Sequence, residues 1–151
     1  MYHMVQRVDA TAETTASPER VYGLVRDGAT WPSWSTLDSF ELERPGETER
    51  EGVGAIRVFR TNRFPKPVVS REEIVELVPD RRLGYALLSA LAVRDYRASV
   101  DLEPVGGGTR IRWHSSFRPV VPGTGWIYRR ALQRVMSRCA RGLAEAAAGT
   151  S

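Results

Sequence analysis

The chain has 151 residues, 42% of them hydrophobic and 26% charged, with a formal net charge of +4. That length suits one domain, 1–151, with enough core to fold without staples, and the single cysteine, Cys139, excludes an intramolecular disulfide. The arginines are spread over nearly every segment, which argues against nucleic acid as a partner, and no signal-peptide core or membrane span is evident, the longest apolar run (Tyr85 to Val93) being about half of the roughly 20 residues a span needs.

A cytoplasmic protein with no stable membrane insertion is therefore expected. Gln6 to Thr15 alternates loosely and reads as a first strand. Ser17-Pro18-Glu19 then supplies a helix start: a capping hydroxyl, a proline with its φ preset, and an acid at the positive end of the dipole. Val21, Leu24 and Val25 follow at helical spacing, and Gly28 is read as the stop. Thr30 to Trp34 predicts a second short helix or turn, again with proline just inside its start.

From Leu37 to Phe117 the pattern changes to short apolar runs separated by turn residues. Phe40–Leu42, Gly54–Arg60, Val69–Val78, Arg82–Ser89, Asp95–Glu103 and Thr109–Phe117 read as six strands, which at this spacing form an antiparallel meander. The last two alternate most cleanly. Tyr96, Ala98, Val100 and Leu102 oppose charged neighbours, as do Ile111, Trp113, Ser115 and Phe117, so one sheet face is buried and the other wet. After Pro119, Pro122 and Gly123, a long helix is predicted from about Gly125 to Ala147. Tyr128, Ala131, Leu132, Val135, Met136, Cys139, Leu143 and Ala146 form its inward stripe, and Arg130, Arg134, Arg138 and Arg141 its outer face, read as solvated in preference to a site for phosphates or acidic lipid headgroups.

This order of elements predicts an α+β fold: a curved antiparallel sheet of about seven strands wrapped around a long C-terminal helix, with two short helices after the first strand. The residues expected to line a cavity beneath that helix are Trp34, Phe59, Tyr85, Leu87, Tyr96, Trp113, Ser115, Phe117 and Met136. Aromatic walls with a few hydrogen-bonding tips are the usual makeup of a ligand pocket. The apolar tip Leu91–Val93 and the loop around Phe64-Pro65 have two readings: a lip and door of that cavity that touches membranes or hydrophobic partners, or loops packed on their own domain.

No catalytic set, metal site or cofactor is predicted. His3 and His114 are the only histidines, neither at ligand spacing from Cys139, and Gly106-Gly107-Gly108 precedes a strand rather than a phosphate-binding helix. Parity places His114 on the wet face with Arg110 and Arg112. Arg57 has two readings. Sharing an inner face with Ala55 and Phe59 would make it a buried cation in need of a carboxylate or an oxygen-rich ligand; an inner face of Ile56 and Val58 would leave it solvated, and these being the better core residues, the solvated reading is preferred.

Four stretches resemble the START-like (SRPBCC) superfamily, in particular its polyketide cyclase/dehydrase branch. Ser17 to Tyr22 with Trp31 to Ser35 resembles the family's opening helix and tryptophan. Gly52 to Arg57 is similar to its glycine-rich strand entry, Arg71 to Tyr85 to its central hairpin, and Asp95–Ala98 with Gly108–Trp113 to its last hairpin. The tip Ser89 to Val93 departs from it, with alanines where relatives often place Gly and Pro. The resemblance implies the helix-grip fold and a cavity for a small apolar molecule such as a polyketide, lipid or isoprenoid. Two alternatives stand beside it. One is an aromatase/cyclase-type enzyme in which Tyr85, Tyr96 or Ser115 polarises carbonyls, and the other is a protein-interaction module with a closed core.

Overall fold

The computed structural model describes residues 5–62, 67–89 and 91–149. Strand β1 (Gln6–Thr14) leads into helix α1 (Pro18–Arg26), whose first turn is closed by Ser17 as expected: its side chain accepts from the Arg20 N–H at 3.3 Å. The helix ends one residue before Asp27, ahead of Gly28, because Asp27 caps the next element by accepting from the Ala29 N–H. A 3-10 turn (Gly28–Thr30) and the short helix α2 (Trp31–Trp34) follow. The remaining strands are β2 (Ser39–Arg44), β3 (Ile56–Thr61), β4 (Val68–Val78), β5 (Arg82–Ser89), β6 (Val93–Val105) and β7 (Gly108–Pro119), and helix α3 (Gly125–Gly149) closes the chain.

The seven strands form one antiparallel sheet in the order β1-β7-β6-β5-β4-β3-β2. Consecutive hairpins build β2 to β7, and β1 returns to the free edge of β7, pairing Val8 with Ser115 and Ala10 with Trp113. The helices between β1 and β2 therefore bridge the two ends of the sheet, and α3 packs chiefly along β1 and β7 inside the grip.

Period-two alternation sorts the side chains as expected on β6 and β7. Tyr96, Ala98, Val100 and Leu102 are buried, as are Ile111, Trp113, Ser115 and Phe117. The opposite face carries cross-strand ion pairs, Arg112 to Asp9 at 2.7 Å and Arg110 to Glu103 at 2.8 Å. His114 lies on this convex face, with Nε2 at 2.8 Å from an Asp101 carboxylate oxygen. Burial alone would raise Asp101, but hydrogen bonds from Ser99 and His114 and the charge of Arg82 outweigh it and hold the carboxyl below its usual range.

Along α3 the expected inward stripe holds at Met136, Cys139 and Leu143, with Tyr128, Leu132 and Ala146 partly buried against the core. Met136, Cys139, Ala140, Leu143, Ala144 and Ala147 are buried, whereas Ala131 and Val135 are exposed. The C-terminal half packs against the sheet and the short helices, while the N-terminal half passes over the cavity described below. Gly142 permits the close approach: a Cβ there would collide with the backbone carbonyl oxygen of Trp34.

Candidate functional site

Beneath the N-terminal half of α3 lies a cavity of about 490 Å³. The sheet supplies Tyr85 and Leu87 from β5, Tyr96 from β6, Trp113 from β7, and Ser70 and Glu72 from β4. Helix α3 supplies Leu132, Met136 and Cys139, and the chain around α2 supplies Trp31, Thr36 and Leu37. Val68, Leu91, Arg134, Val135 and Arg138 form the rim. Leu91 of the apolar tip is thus one of the rim residues, while the loop residues Arg63 to Lys66 lie outside the described residues.

Of the nine residues expected to line the cavity, Tyr85, Leu87, Tyr96, Trp113 and Met136 do so. The other four stand behind the wall. Trp34 packs on Trp31 and Trp113, Phe59 stacks on Trp31 with ring centroids 4.8 Å apart, and Phe117 stacks on Tyr96 at 6.0 Å. Ser115 directs its hydroxyl toward the Met136 sulfur at 3.7 Å.

A polar thread crosses the aromatic wall. The Trp113 indole N–H donates to the Tyr85 hydroxyl at 3.1 Å, and the Tyr96 hydroxyl interacts with Ser115 and Tyr85. Burial pushes both phenols above their ordinary range, so they remain protonated and offer neutral hydroxyls. Burial likewise raises the Cys139 thiol, although Thr36 hydrogen bonds oppose the shift. A thiol held neutral is a poor nucleophile.

Glu72 was not among the expected site residues. It is 7% exposed, lines the cavity, and its Oε1 has no hydrogen-bond partner. Burial pushes its carboxyl up to about 7, against the pull of the Arg57 charge. The parity of Ile74, which is wholly buried, carries Glu72 inward two residues earlier. Register shifts between Arg71 and Glu72 and between Ile74 and Glu76 break the alternation, which is why the strand gave no clean inner face from sequence.

Arg57 corrects the solvated reading. It is fully buried, with Nη1 donating to the carbonyls of Val25 and Arg26 at 3.2 Å and to Glu51 at 3.3 Å. Its guanidinium lies over the Trp31 and Phe59 rings, 4.9 and 5.4 Å from the centroids. Ile56 and Val58 are buried too, on the convex face, where their ladder neighbours are Arg44, Glu73, Glu41 and Arg71. The stems of such charged side chains cover apolar neighbours. Both faces of β3 are therefore buried, and the preference for Ile and Val as core residues did not discriminate between them.

Several solved structures share this architecture. A START superfamily protein from Mycobacterium smegmatis superposes with a TM-score of 0.79 at 14% identity, covering 93% of this chain and 96% of that one. A protein from Thermus thermophilus is 25% identical with a TM-score of 0.71, covering 97% and 100%. A norcoclaurine synthase from Thalictrum flavum, in complex with dopamine and hydroxybenzaldehyde, gives a TM-score of 0.72 at 12% identity over 98% and 89%. Among curated proteins none matches the sequence. The family model described as "Polyketide cyclase / dehydrase and lipid transport" matches residues 5–148. Alternating strands, the grip around α3 and that match agree: the chain belongs to the polyketide cyclase/dehydrase and lipid transport family of the START-like superfamily, whose fold binds hydrophobic ligands.

Proposed function

We propose that this protein binds a small, largely hydrophobic molecule of the polyketide, lipid or isoprenoid type in the cavity under α3, with a polar group of that molecule directed at Glu72. The observation that carries the reading is the combination of a cavity of about 490 Å³, aromatic and aliphatic walls, and one buried carboxyl oxygen without a partner. Cavities of that order suit small organic ligands, which bury their apolar body and use a few polar contacts for orientation. An unpaired buried polar atom costs free energy, and a ligand hydroxyl or amine facing Oε1 would supply the missing bond. Native mass spectrometry of gently purified protein tests this. A discrete small adduct, lost on denaturation and recoverable in organic extract, is expected; a bare chain that takes up no apolar probe contradicts the proposal.

Glu72 also favours a second reading, an enzyme of the cyclase kind. A carboxyl titrating near neutrality can both take and give a proton at cellular pH. The protonated Tyr85 and Tyr96 hydroxyls would hydrogen-bond a substrate carbonyl and acidify its neighbouring C–H. In that case Glu72→Gln abolishes turnover while leaving binding of the substrate in place.

A further inference from the structure

We propose that the outer face of α3, together with the segment leading into it, docks on the surface of an anionic lipid bilayer. The starting point is a contrast in how arginines are used. On the convex face of the sheet, Arg60, Arg71, Arg82, Arg110 and Arg112 each meet a carboxylate at 2.6–3.0 Å. From Arg118 to Ala144 the chain holds six arginines and no Asp or Glu. All six are exposed, and none makes an ion pair among the described residues. Arg130, Arg134, Arg138 and Arg141 recur at three- and four-residue spacing, which aligns them along one side of the helix over about 17 Å. Arg134, Arg138 and Arg141 also surround a shallow depression with Gln133 and Ser137. Like charges aligned without partners repel one another, and an anionic surface supplies the missing countercharge.

The second observation decides what kind of anionic surface. Val121, Trp126 and Ile127 are 54%, 53% and 50% exposed where the chain turns from β7 into α3, beside Val120. The other three tryptophans are buried, so Trp126 stands apart. Ile127 precedes Arg130 by three residues and shares its side of the helix. Nucleic acid would use the arginines but leave the aliphatic side chains of Val121 and Ile127 in water. A bilayer takes both: the indole suits the boundary between headgroup and acyl chain, and the arginines suit the headgroup phosphates. Among the described residues no helix is long and apolar enough to cross a membrane, so the contact is peripheral. Arg134, Val135 and Arg138 belong to the cavity rim as well, so a docked α3 brings the cavity mouth to the lipid surface. The surface itself does not depend on what the cavity holds.

Vesicle sedimentation with the full chain tests the proposal, using phosphatidylcholine alone and phosphatidylcholine mixed with phosphatidylglycerol. Binding is expected to the mixed vesicles only, weakening with added salt, with a blue shift in tryptophan emission from Trp126. Arg130→Gln and Arg141→Gln should each weaken binding about fivefold. Trp126→Ala should weaken it and remove the blue shift. All three positions are exposed, so thermal melts and uptake of an apolar probe by the cavity should stay as in the parent protein, separating this result from any failure of the ligand-binding proposal. Absence of binding to the mixed vesicles overturns the proposal. So does vesicle binding unaffected by all three substitutions. Tighter binding to duplex DNA, with Trp126 emission unmoved, assigns the arginine stripe to nucleic acid instead and equally overturns it.

Discussion

Arg57 and Glu72 are direct partners in the β3–β4 register, both buried, yet they form no ion pair within 4.0 Å. Arg57 is held instead by the last carbonyls of α1 and by Glu51, so it acts on Glu72 only through its field. The carboxyl is left facing the cavity with one oxygen free. A charge that anchors the short helices to the sheet thereby also tunes the one acid in the cavity wall.

Stability should consequently depend on pH through Glu72. Unfolded, this side chain gives up its proton near the ordinary value of 4.5; folded, it keeps the proton until about 7. The folded state binds the proton more tightly, so the contribution is fully present below pH 4.5 and is lost as pH rises to 7. Linkage puts that loss at roughly 3 kcal/mol at most. Urea unfolding from pH 4.5 to 8 should show the decline in the parent protein and a flatter profile in Glu72→Gln. Equal slopes in the two proteins would mean that Glu72 is already ionised in the fold at low pH.

Removing Arg57 should be severe. Arg57→Met keeps volume but removes the donor to Glu51 and to two helix-terminal carbonyls, Glu51 and Val25 retaining the Gly28 N–H and the Trp31 indole N–H, and removing one member of a buried charge cluster typically costs about 3–5 kcal/mol. It also takes away the Arg57 charge that keeps Glu72 from rising further. Adding Glu72→Gln to Arg57→Met should therefore add less destabilisation than it does in the parent protein above pH 7, or recover part of the loss. Chemical denaturation of the double-mutant cycle measures the coupling directly. Strict additivity would show the two side chains to be energetically independent.

Trp113 and His114 are adjacent on β7 but belong to opposite faces. Trp113 is 2% exposed, packs edge-on to Trp31 and bonds Tyr85, so Trp113→Ala should cost about 3–5 kcal/mol and weaken uptake of an apolar probe. His114→Ala removes a partly exposed contact to Asp101, which keeps Ser99 and Arg82, and should cost less than about 1 kcal/mol. Thermal melts and probe displacement on both variants separate the faces. Loss of probe binding in the histidine variant with stability intact would invert this assignment.

Gly142→Ala sets two effects against each other. Alanine is the better helix former by about 1 kcal/mol. The new methyl would meet the backbone carbonyl of Trp34, which cannot rotate aside, and overpacking of that kind costs about 1–3 kcal/mol. A net destabilisation is predicted, seen as a lower Tm. An increase in Tm would show that α2 moves away freely.

How much of this was legible in sequence varies with the strand. On β6 and β7 one face is wet, so alternation alone assigned Tyr96, Trp113 and Phe117 to the inside. On β3 both faces are buried, and hydrophobicity could not say on which side Arg57 lay. On β4 the irregular register hid Glu72. The phase of α3 was readable over its packed half, but Ala131 and Val135 border a cavity rather than the core, and a 3.6-residue period does not distinguish the two. Trp34, Phe59 and Phe117 have the residue type of a cavity wall and the position of its second layer, a difference that depends on packing depth.

The central claim is that the space under α3 is a binding site, and filling it is the most direct test. Leu87 lines the cavity and is only partly buried, so Leu87→Trp can place an indole in that space without displacing packed neighbours. Titration of an apolar fluorescent probe should give saturable, one-to-one binding to the parent protein and at least a tenfold weaker Kd in Leu87→Trp, with the Tm of the variant unchanged or raised. Unaltered probe affinity in a variant that folds normally would show that the probe binds elsewhere and would contradict the account.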